Sequence, residues 1–292
     1  MIPEILAIIA PVFICAALGV AWALSGQGFE NEFITRLVMW VGAPCLIVGT
    51  LGKVDVSLQL LGDIALAVIL LLLLTAALAI VLCRMQGLPW RNYLPSLVFP
   101  NTGNMGLPLA LFAFGEQGLA VALTIFMIIS VAQFTLGVAI LSGHSAIGGA
   151  LRSPVVYAGL LSVLLIAFDW QLPAWLQNTV SMLGNLSIPL MLLALGVSLA
   201  GINRKYALKA LKLGSLRLLL GFGAGWLVAE ILGLTGVLRG VLIIQATMPV
   251  AVFNYLLAVR YRKSPEEVAG AVMVSTLLSF ATLPALLWFV LP

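Results

Sequence analysis

The residues of this chain best suited to bind a ligand are amide and hydroxyl side chains inside long apolar stretches. One stretch holds Asn101, Thr102 and Asn104, and a second holds Gln245, Thr247 and Asn254. A side-chain amide carries two N–H donors and a carbonyl acceptor, and a hydroxyl can donate or accept. Their chemistry indicates hydrogen bonding to a ligand rather than acid–base catalysis.

Motifs of several large enzyme classes are missing from the sequence. There is no H-E-x-x-H, no G-x-S-x-G and no Walker glycine loop. The one histidine, His144, falls in a glycine-rich link, and Cys15, Cys45 and Cys83 lie singly in apolar runs without metal-ligand spacing. The ten acidic residues lie at or near the ends of apolar stretches, which disfavours a relay of buried carboxylates. We therefore predict no enzyme activity, no metal site and no cofactor.

Composition places the chain in a membrane. Of its 292 residues, 63% are hydrophobic and only 8% are charged, and the mean hydropathy is +1.20. Soluble domains carry about 25% charged residues. The net charge of +4 comes from cations scattered singly or in short runs beside apolar stretches, which argues against nucleic-acid binding.

Windows of about 19 residues predict an all-α integral membrane protein with ten spans. The predicted spans are 4–24, 34–52, 61–83, 94–114, 117–141, 154–169, 175–200, 207–231, 237–259 and 267–290. The sixth is short for a bilayer crossing, which needs about 20 residues. Ser264 and Glu267 are predicted to start the tenth span as a capping box, with Pro265 at the first helical position.

The basic residues orient these spans. When alternate loops are counted, eleven cations fall on one side and two, Lys53 and Arg239, fall on the other. The eleven are Arg36, Arg84, Arg91, Arg152, Arg204, Lys205, Lys209, Lys212, Arg260, Arg262 and Lys263. The positive-inside rule then predicts that both termini lie outside the cytoplasm. Arg217 falls within the eighth span, towards its basic end.

Prolines interrupt corresponding spans in the two halves of the chain. Pro44 and Pro189 lie in spans two and seven, 145 residues apart, and Pro100 and Pro249 lie in spans four and nine, 149 residues apart. Because five is an odd number, a second copy of a five-span unit starts on the opposite side of the membrane and is inverted relative to the first. We therefore predict two inverted five-helix repeats, residues 1–141 and 154–292, with broken and crossing helices four and nine.

The fourth span is the more heavily interrupted of the two. Residues 99–108 contain two prolines and two glycines, including Gly106 and Pro108, which cannot form a continuous helix. Each interruption creates a half-helix N-terminus with a partial positive charge. Two such termini facing one cavity are predicted to hold a small organic anion without any arginine. The predicted substrate-binding residues are Pro100, Asn101, Thr102, Gly103, Asn104, Gln245, Pro249, Val250 and Asn254, and the predicted hinges are Pro44, Pro100, Gly106, Pro108, Pro189 and Pro249.

The string Pro100-Asn101-Thr102, followed by Met105-Gly106-Leu107-Pro108, resembles the crossover motif of the auxin efflux carrier family, which includes plant PIN-type carriers and bacterial permeases. The resemblance implies the fold of bile-acid:sodium symporters. It implies a dimerising scaffold of helices 1, 2, 6 and 7, and a mobile transport domain of helices 3–5 and 8–10 that moves in an elevator-like way. It also implies a carboxylate substrate, auxin-like or malate- or malonate-like, with Asn101 at the substrate site.

Two departures from the plant members and two alternatives complete the interpretation. The link between the halves spans only about 142–153 and the ninth-span motif differs from the plant pattern, which favours a bacterial inner-membrane permease over an auxin carrier.

The residues leave the coupling ion open between a proton and sodium. One alternative is a sodium-coupled symporter of bile-acid type, with Gln245, Thr247 and nearby carbonyls as ligands. The other is a membrane sensor that binds ligand without moving it.

Overall fold

The computed structural model describes residues 2–51, 57–143, 153–200 and 207–291, and these segments are helical, with no named strand among them. The predicted features at Lys53, Asp55, His144, Arg152, Arg204 and Lys205 lie outside the described residues. The helices are α1 (Ile2–Leu24), α2 (Asn31–Leu37), α3 (Ala43–Leu51), α4 (Leu58–Met85), α5 (Trp90–Val98), α6 (Leu107–Ala132), α7 (Val138–Ser142), α8 (Pro154–Ala167), α9 (Ala174–Asn185), α10 (Ser187–Ala200), α11 (Ala207–Ile231), α12 (Gly236–Thr247), α13 (Val252–Tyr261) and α14 (Pro265–Val290). Three short π-helical segments lie between them: π1 (Val38–Gly42), π2 (Thr102–Gly106) and π3 (Gln133–Gly137).

Seven helical stretches in the described segments are long and apolar enough to cross a membrane. The longest, Thr102–Ser142, has 41 residues, about twice what one crossing requires. Gly115 lies inside it with φ +64° and ψ −155°, outside helical geometry, and glycine adopts a positive φ without a steric penalty. The chain turns there. The prediction of an all-helical membrane protein is confirmed.

Two helical runs stop where the sequence places prolines within them. Helix α5 ends at Val98 before π2 begins at Thr102, and α12 ends at Thr247 before α13 begins at Val252. The two gaps lie against each other. Pro100 and Val250 form an isolated antiparallel β-bridge, which brings the two interruptions into direct contact.

A second group of helices packs through glycines. In the contact of α1 with α10, a Cβ on Gly196 would lie only 2.0 Å from the Ala16 carbonyl oxygen. In the contact of α3 with α9, a Cβ on Gly184 would lie 2.8 Å from Leu46 Cα. Small residues let membrane helices approach closely enough for backbone-to-backbone van der Waals packing.

The predicted hinge prolines Pro44 and Pro189 lie beside irregularities in these helices. Pro44 follows π1 at the start of α3, and Pro189 lies in the first turn of α10, just after α9 ends. The two irregular points meet, because a Cβ on Gly42 would lie 2.2 Å from Ser187 Oγ. These prolines therefore stand at a second helix crossing, where the start of α3 meets the start of α10.

The start of α14 differs from the sequence prediction. The helix does begin at Pro265, but Ser264 adopts a left-handed conformation and its side chain makes no capping hydrogen bond. Glu267 accepts hydrogen bonds from Lys209 Nζ, at 2.8 Å, and from Tyr93 Oη. The predicted capping box is therefore wrong, because partners from α11 and α5 bind the carboxylate instead.

Candidate functional site

The candidate site is built around the two helix interruptions. The Asn101 N–H donates to the Pro249 carbonyl oxygen at 2.8 Å, which fixes one interruption against the other. Pro100, Asn101, Pro249 and Val250 are all buried. Proline breaks the helical hydrogen-bond ladder in each chain segment. The backbone groups that lose their helical partners in one segment can therefore pair with those of the other.

Asn101 has a side-chain amide that is only partly used. The residue is 4% exposed, and its Oδ1 accepts a long hydrogen bond of 3.3 Å from the Asn104 N–H. Its Nδ2 group is buried and has no hydrogen-bond partner. An unpaired buried donor costs about 1–3 kcal/mol, so this group is well suited to donate to a ligand.

The residues that follow Asn101 form the start of the half-helix made by π2 and α6. Thr102 is buried, whereas Gly103 and Asn104 are partly exposed. A Cβ on Gly103 would lie 3.1 Å from Phe126 Cε2 and 3.9 Å from Met191 Sδ. The glycine thus leaves its backbone accessible beside an aromatic ring and a thioether. Pro108 lies in the first turn of α6, where a missing N–H is tolerated.

Asn254 plays a different part from Asn101 in this geometry. Its Nδ2 donates to the Phe99 carbonyl oxygen at 3.0 Å, and its Oδ1 accepts from Gln133 Nε2 at 2.8 Å. The residue is 1% exposed. Both ends of its amide are therefore paired with protein groups. Asn254 supplies the Phe99 carbonyl, just before the interruption, with the partner that a continuous helix would have given it.

Gln245 is fully buried, and neither its Nε2 nor its Oε1 has a hydrogen-bond partner. A Cβ on Gly106 would lie 2.1 Å from Gln245 Oε1, so the side chain rests directly on the glycine backbone. Thr247 is the last residue of α12, and its hydroxyl donates to the Ile243 carbonyl oxygen at 2.7 Å. At Val250 the backbone N–H donates to Ser275 Oγ at 3.0 Å.

Arg217 is the functional candidate that sequence reasoning missed. The expectation that no arginine lies at the crossing is wrong, because Nη1 donates to the Leu97 carbonyl oxygen at 2.8 Å and Nη2 donates to the Ala246 carbonyl oxygen at 2.6 Å. Arg217 is 1% exposed, and it is the one charged side chain that is buried in the described segments. An ionisable residue well inside an apolar span was the available signal.

A cavity of about 210 Å³ lies elsewhere in the molecule. Its lining is made by Thr35, Arg36, Met39, Trp40, Phe134, Ser153, Pro154 and Phe253, and so includes none of the predicted site residues. Phe134 and Phe253 meet edge to face on one wall, with ring centroids 4.8 Å apart. Phe253 immediately precedes Asn254 in α13, the half-helix that follows the interruption at Pro249, whereas Phe134 lies in π3.

Comparison with known proteins places the chain in a family. The family model described as membrane transport protein matches residues 140–288, just over half of the chain. The chain belongs to the membrane transport protein family. An uncharacterized transporter of Methanocaldococcus jannaschii is 26% identical over 280 residues, which cover 88% of each chain.

Two further relatives carry more specific names. A Rhizobium meliloti protein whose name proposes malonate transport is 28% identical over 218 residues, covering 66% of this chain and 64% of the relative. Auxin efflux carrier component 1 of Arabidopsis thaliana is 27% identical over 148 residues, covering 48% of this chain and 24% of the relative. The resemblance to the auxin efflux carrier family is confirmed. As a member of the membrane transport protein family, the chain is a multi-pass transporter and not an enzyme.

Proposed function

We propose that this chain is a secondary transporter of a small organic anion, whose carboxylate binds at the crossing of the two interrupted helices. Asn101 Nδ2 donates to the carboxylate, and the backbone of Thr102, Gly103 and Asn104 supplies the start of a helix. Pro100, Pro249, Val250 and Gln245 shape the surrounding wall. Asn254 holds the Phe99 carbonyl in place rather than touching the substrate.

The observation that carries this proposal is an imbalance of charge at the crossing. A helix terminus carries roughly half an elementary charge, positive at the N-terminus and negative at the C-terminus. Arg217 pairs with the C-terminal ends of α5 and α12. The N-terminal ends at Thr102 and Val252 have no buried carboxylate to balance them among the described residues. Together they supply roughly one positive charge, which a single carboxylate would neutralise.

The names of two relatives point to the same substrate class. Malonate and auxin, the compounds in those names, are both carboxylates. They differ in size and in the number of charges, so the shared feature is the group that the crossing would bind. A carboxylate is therefore the part of the substrate that this proposal assigns.

We further infer ten membrane crossings arranged as two inverted repeats, residues 1–141 and 154–292. The turn at Gly115 would divide the long stretch Thr102–Ser142 into two crossings, and α5 and α12 would each complete a crossing with the half-helix that follows. The α1–α10 and α3–α9 contacts would belong to a scaffold that dimerises. The remaining helices would move past it as an elevator, with the termini outside the cytoplasm of a bacterial cell. The coupling ion, if the anion moves with one, would be a proton or sodium.

The direct test has two parts. Carboxylate binding by the purified protein is measured by thermal unfolding, and transport is measured as uptake into proteoliposomes. Malonate, malate and indole-3-acetate at constant ionic strength should raise the unfolding temperature, since a ligand at 100 times its Kd stabilises the native state by about 2.7 kcal/mol. Asn101→Ala removes one hydrogen bond to a charged group, so affinity should fall about 10- to 100-fold.

Asn185→Ala provides the matched control, because Asn185 is an exposed asparagine at the end of α9 and is not one of the residues of the crossing. It should bind and transport as the unmodified protein does. If Asn101→Ala retains full affinity and uptake, the site assignment is refuted. Carboxylates that bind but are never moved would refute transport and favour a ligand sensor.

A sodium-coupled symporter is the second candidate, and one observation favours it. Gln245 Oε1 is a buried oxygen without a hydrogen-bond partner, which is the kind of group that a sodium ion binds. Anion uptake that disappears when potassium replaces sodium would support this candidate. Uptake that is indifferent to the exchange would exclude it.

A further inference from the structure

Arg217 occupies a position where many transporters with interrupted helices bind a mobile cation. Leu97 and Ala246, whose carbonyls it binds, lie in the last turns of α5 and α12. Carbonyls in the last turn of a helix have no partner within the helix and carry its negative end. In discontinuous transporter helices, such carbonyls are common ligands of sodium or of a proton carrier. Here both are taken by one guanidinium.

The charges at this point balance. Two helix C-termini together carry roughly one negative charge, and the guanidinium carries one positive charge. Burying an arginine without compensation would be costly, and its two hydrogen bonds of 2.8 and 2.6 Å to the carbonyls are the compensation that the structure shows. The arginine and the two helix ends therefore form a neutral unit.

The surface of α11 is shaped around this unit. A Cβ on Gly221, one turn after Arg217, would lie 2.0 Å from the Ala246 carbonyl oxygen and 3.2 Å from Arg217 Nη2. A Cβ on Gly225 would lie 2.7 Å from Ala246 Cβ. These glycines allow the end of α12 to approach α11 closely enough for the guanidinium to reach both carbonyls. The position is thus formed by backbone packing as well as by charge.

We propose that Arg217 is a tethered cation, which holds the ends of α5 and α12 together and takes the place of a diffusible coupling cation at their carbonyls. The consequence for transport rests on the proposed function: anion uptake does not require sodium at this position. The consequence for stability does not rest on it. Removing the guanidinium leaves a cation-binding position between Leu97 and Ala246 that a free cation can fill.

The first test measures stability without any anion. Arg217→Ala should unfold at a lower temperature than the unmodified protein, and guanidinium at low millimolar concentration should restore much of the loss. Guanidinium should not stabilise the unmodified protein or Arg239→Ala, a control that removes an arginine paired with Glu230 at 3.2 Å. Restoration by sodium as well would also support the proposal, since it shows that the vacated carbonyls bind a free cation. An unchanged unfolding temperature, or a loss that no cation restores, would overturn it.

The second test measures uptake in proteoliposomes. Arg217→Ala should lose about tenfold or more of the uptake rate, because two buried carbonyls are left without partners, and guanidinium should recover it. Arg217→Lys retains the charge and should keep more activity than Arg217→Ala, and it serves as the test variant if the alanine protein does not fold. If Arg217→Lys is as impaired as Arg217→Ala, the tethered-cation role is refuted. If the unmodified protein moves no carboxylate, the proposed function fails while the stability test still decides the role of Arg217.

Discussion

Replacing Asn254 by alanine should destabilise the protein far more than replacing Asn101, although both are buried asparagines at the same crossing. Asn254→Ala removes the donor to the Phe99 carbonyl oxygen and the acceptor for Gln133 Nε2. Asn101→Ala removes only an acceptor for the Asn104 N–H, at a long 3.3 Å. The two variants therefore separate a residue that stabilises the crossing from one that is available to a substrate.

The size of the Asn254 effect follows from what remains unpaired. Interhelical hydrogen bonds in a membrane protein contribute about 0.6 kcal/mol each on average. Loss of the two Asn254 hydrogen bonds should therefore lower the free energy of unfolding by at least about 1 kcal/mol. A buried carbonyl left without a partner costs about 1–3 kcal/mol, and the Phe99 carbonyl cannot turn towards another donor because it belongs to the backbone. The Gln133 side chain can rotate. We therefore expect a loss of about 2–4 kcal/mol for Asn254→Ala and less than about 1 kcal/mol for Asn101→Ala.

The assay is thermal unfolding of the three proteins in one detergent, without carboxylate. Each kcal/mol lowers the midpoint by about 2–4 °C in proteins of 150–250 residues, so Asn254→Ala should unfold about 5–15 °C lower. Asn101→Ala should lie within a few degrees of the unmodified protein. The hydrogen-bond assignment is refuted if the two variants unfold at the same temperature, or if Asn101→Ala is the less stable one.

Two further predictions concern contacts outside the candidate site, one between helix backbones and one between polar side chains. Gly196→Ala places a Cβ 2.0 Å from the Ala16 carbonyl oxygen, so α1 and α10 must separate at a cost of about 1–3 kcal/mol, seen as a lower unfolding midpoint. Gly223→Ala is the control, since a Cβ there meets nothing within 4 Å, and equal midpoints would contradict the close contact. Glu267→Gln removes the negative charge and one of the two oxygens that accept from Lys209 and Tyr93, and should cost about 1 kcal/mol. High salt should reduce the difference between this variant and the unmodified protein, and a difference that grows with salt would exclude an ionic contribution.

The positions of the interruptions were predictable because their cause is local. Pro100 and Pro249 break a helix wherever they occur within one, since proline lacks the N–H donor and clashes with the preceding turn. The start of α14 at Pro265 was predictable for the related reason that proline fits the first helical turn. The capping box at Glu267 was not predictable, because the carboxylate accepts hydrogen bonds from a lysine and a tyrosine on other helices.

The sequence by itself determined the class of the protein and the points where its helices stop, since both follow from composition and from the chemistry of single residues. Only the tertiary structure decided which polar groups remain free. Asn254 pairs with a carbonyl 155 positions away, and Arg217 pairs with one 120 positions away, whereas Asn101 Nδ2 has no partner. No local pattern reports these pairings. They depend on how the helices pack, because packing pairs Asn254 and Arg217 with backbone carbonyls and leaves Asn101 Nδ2 unpaired.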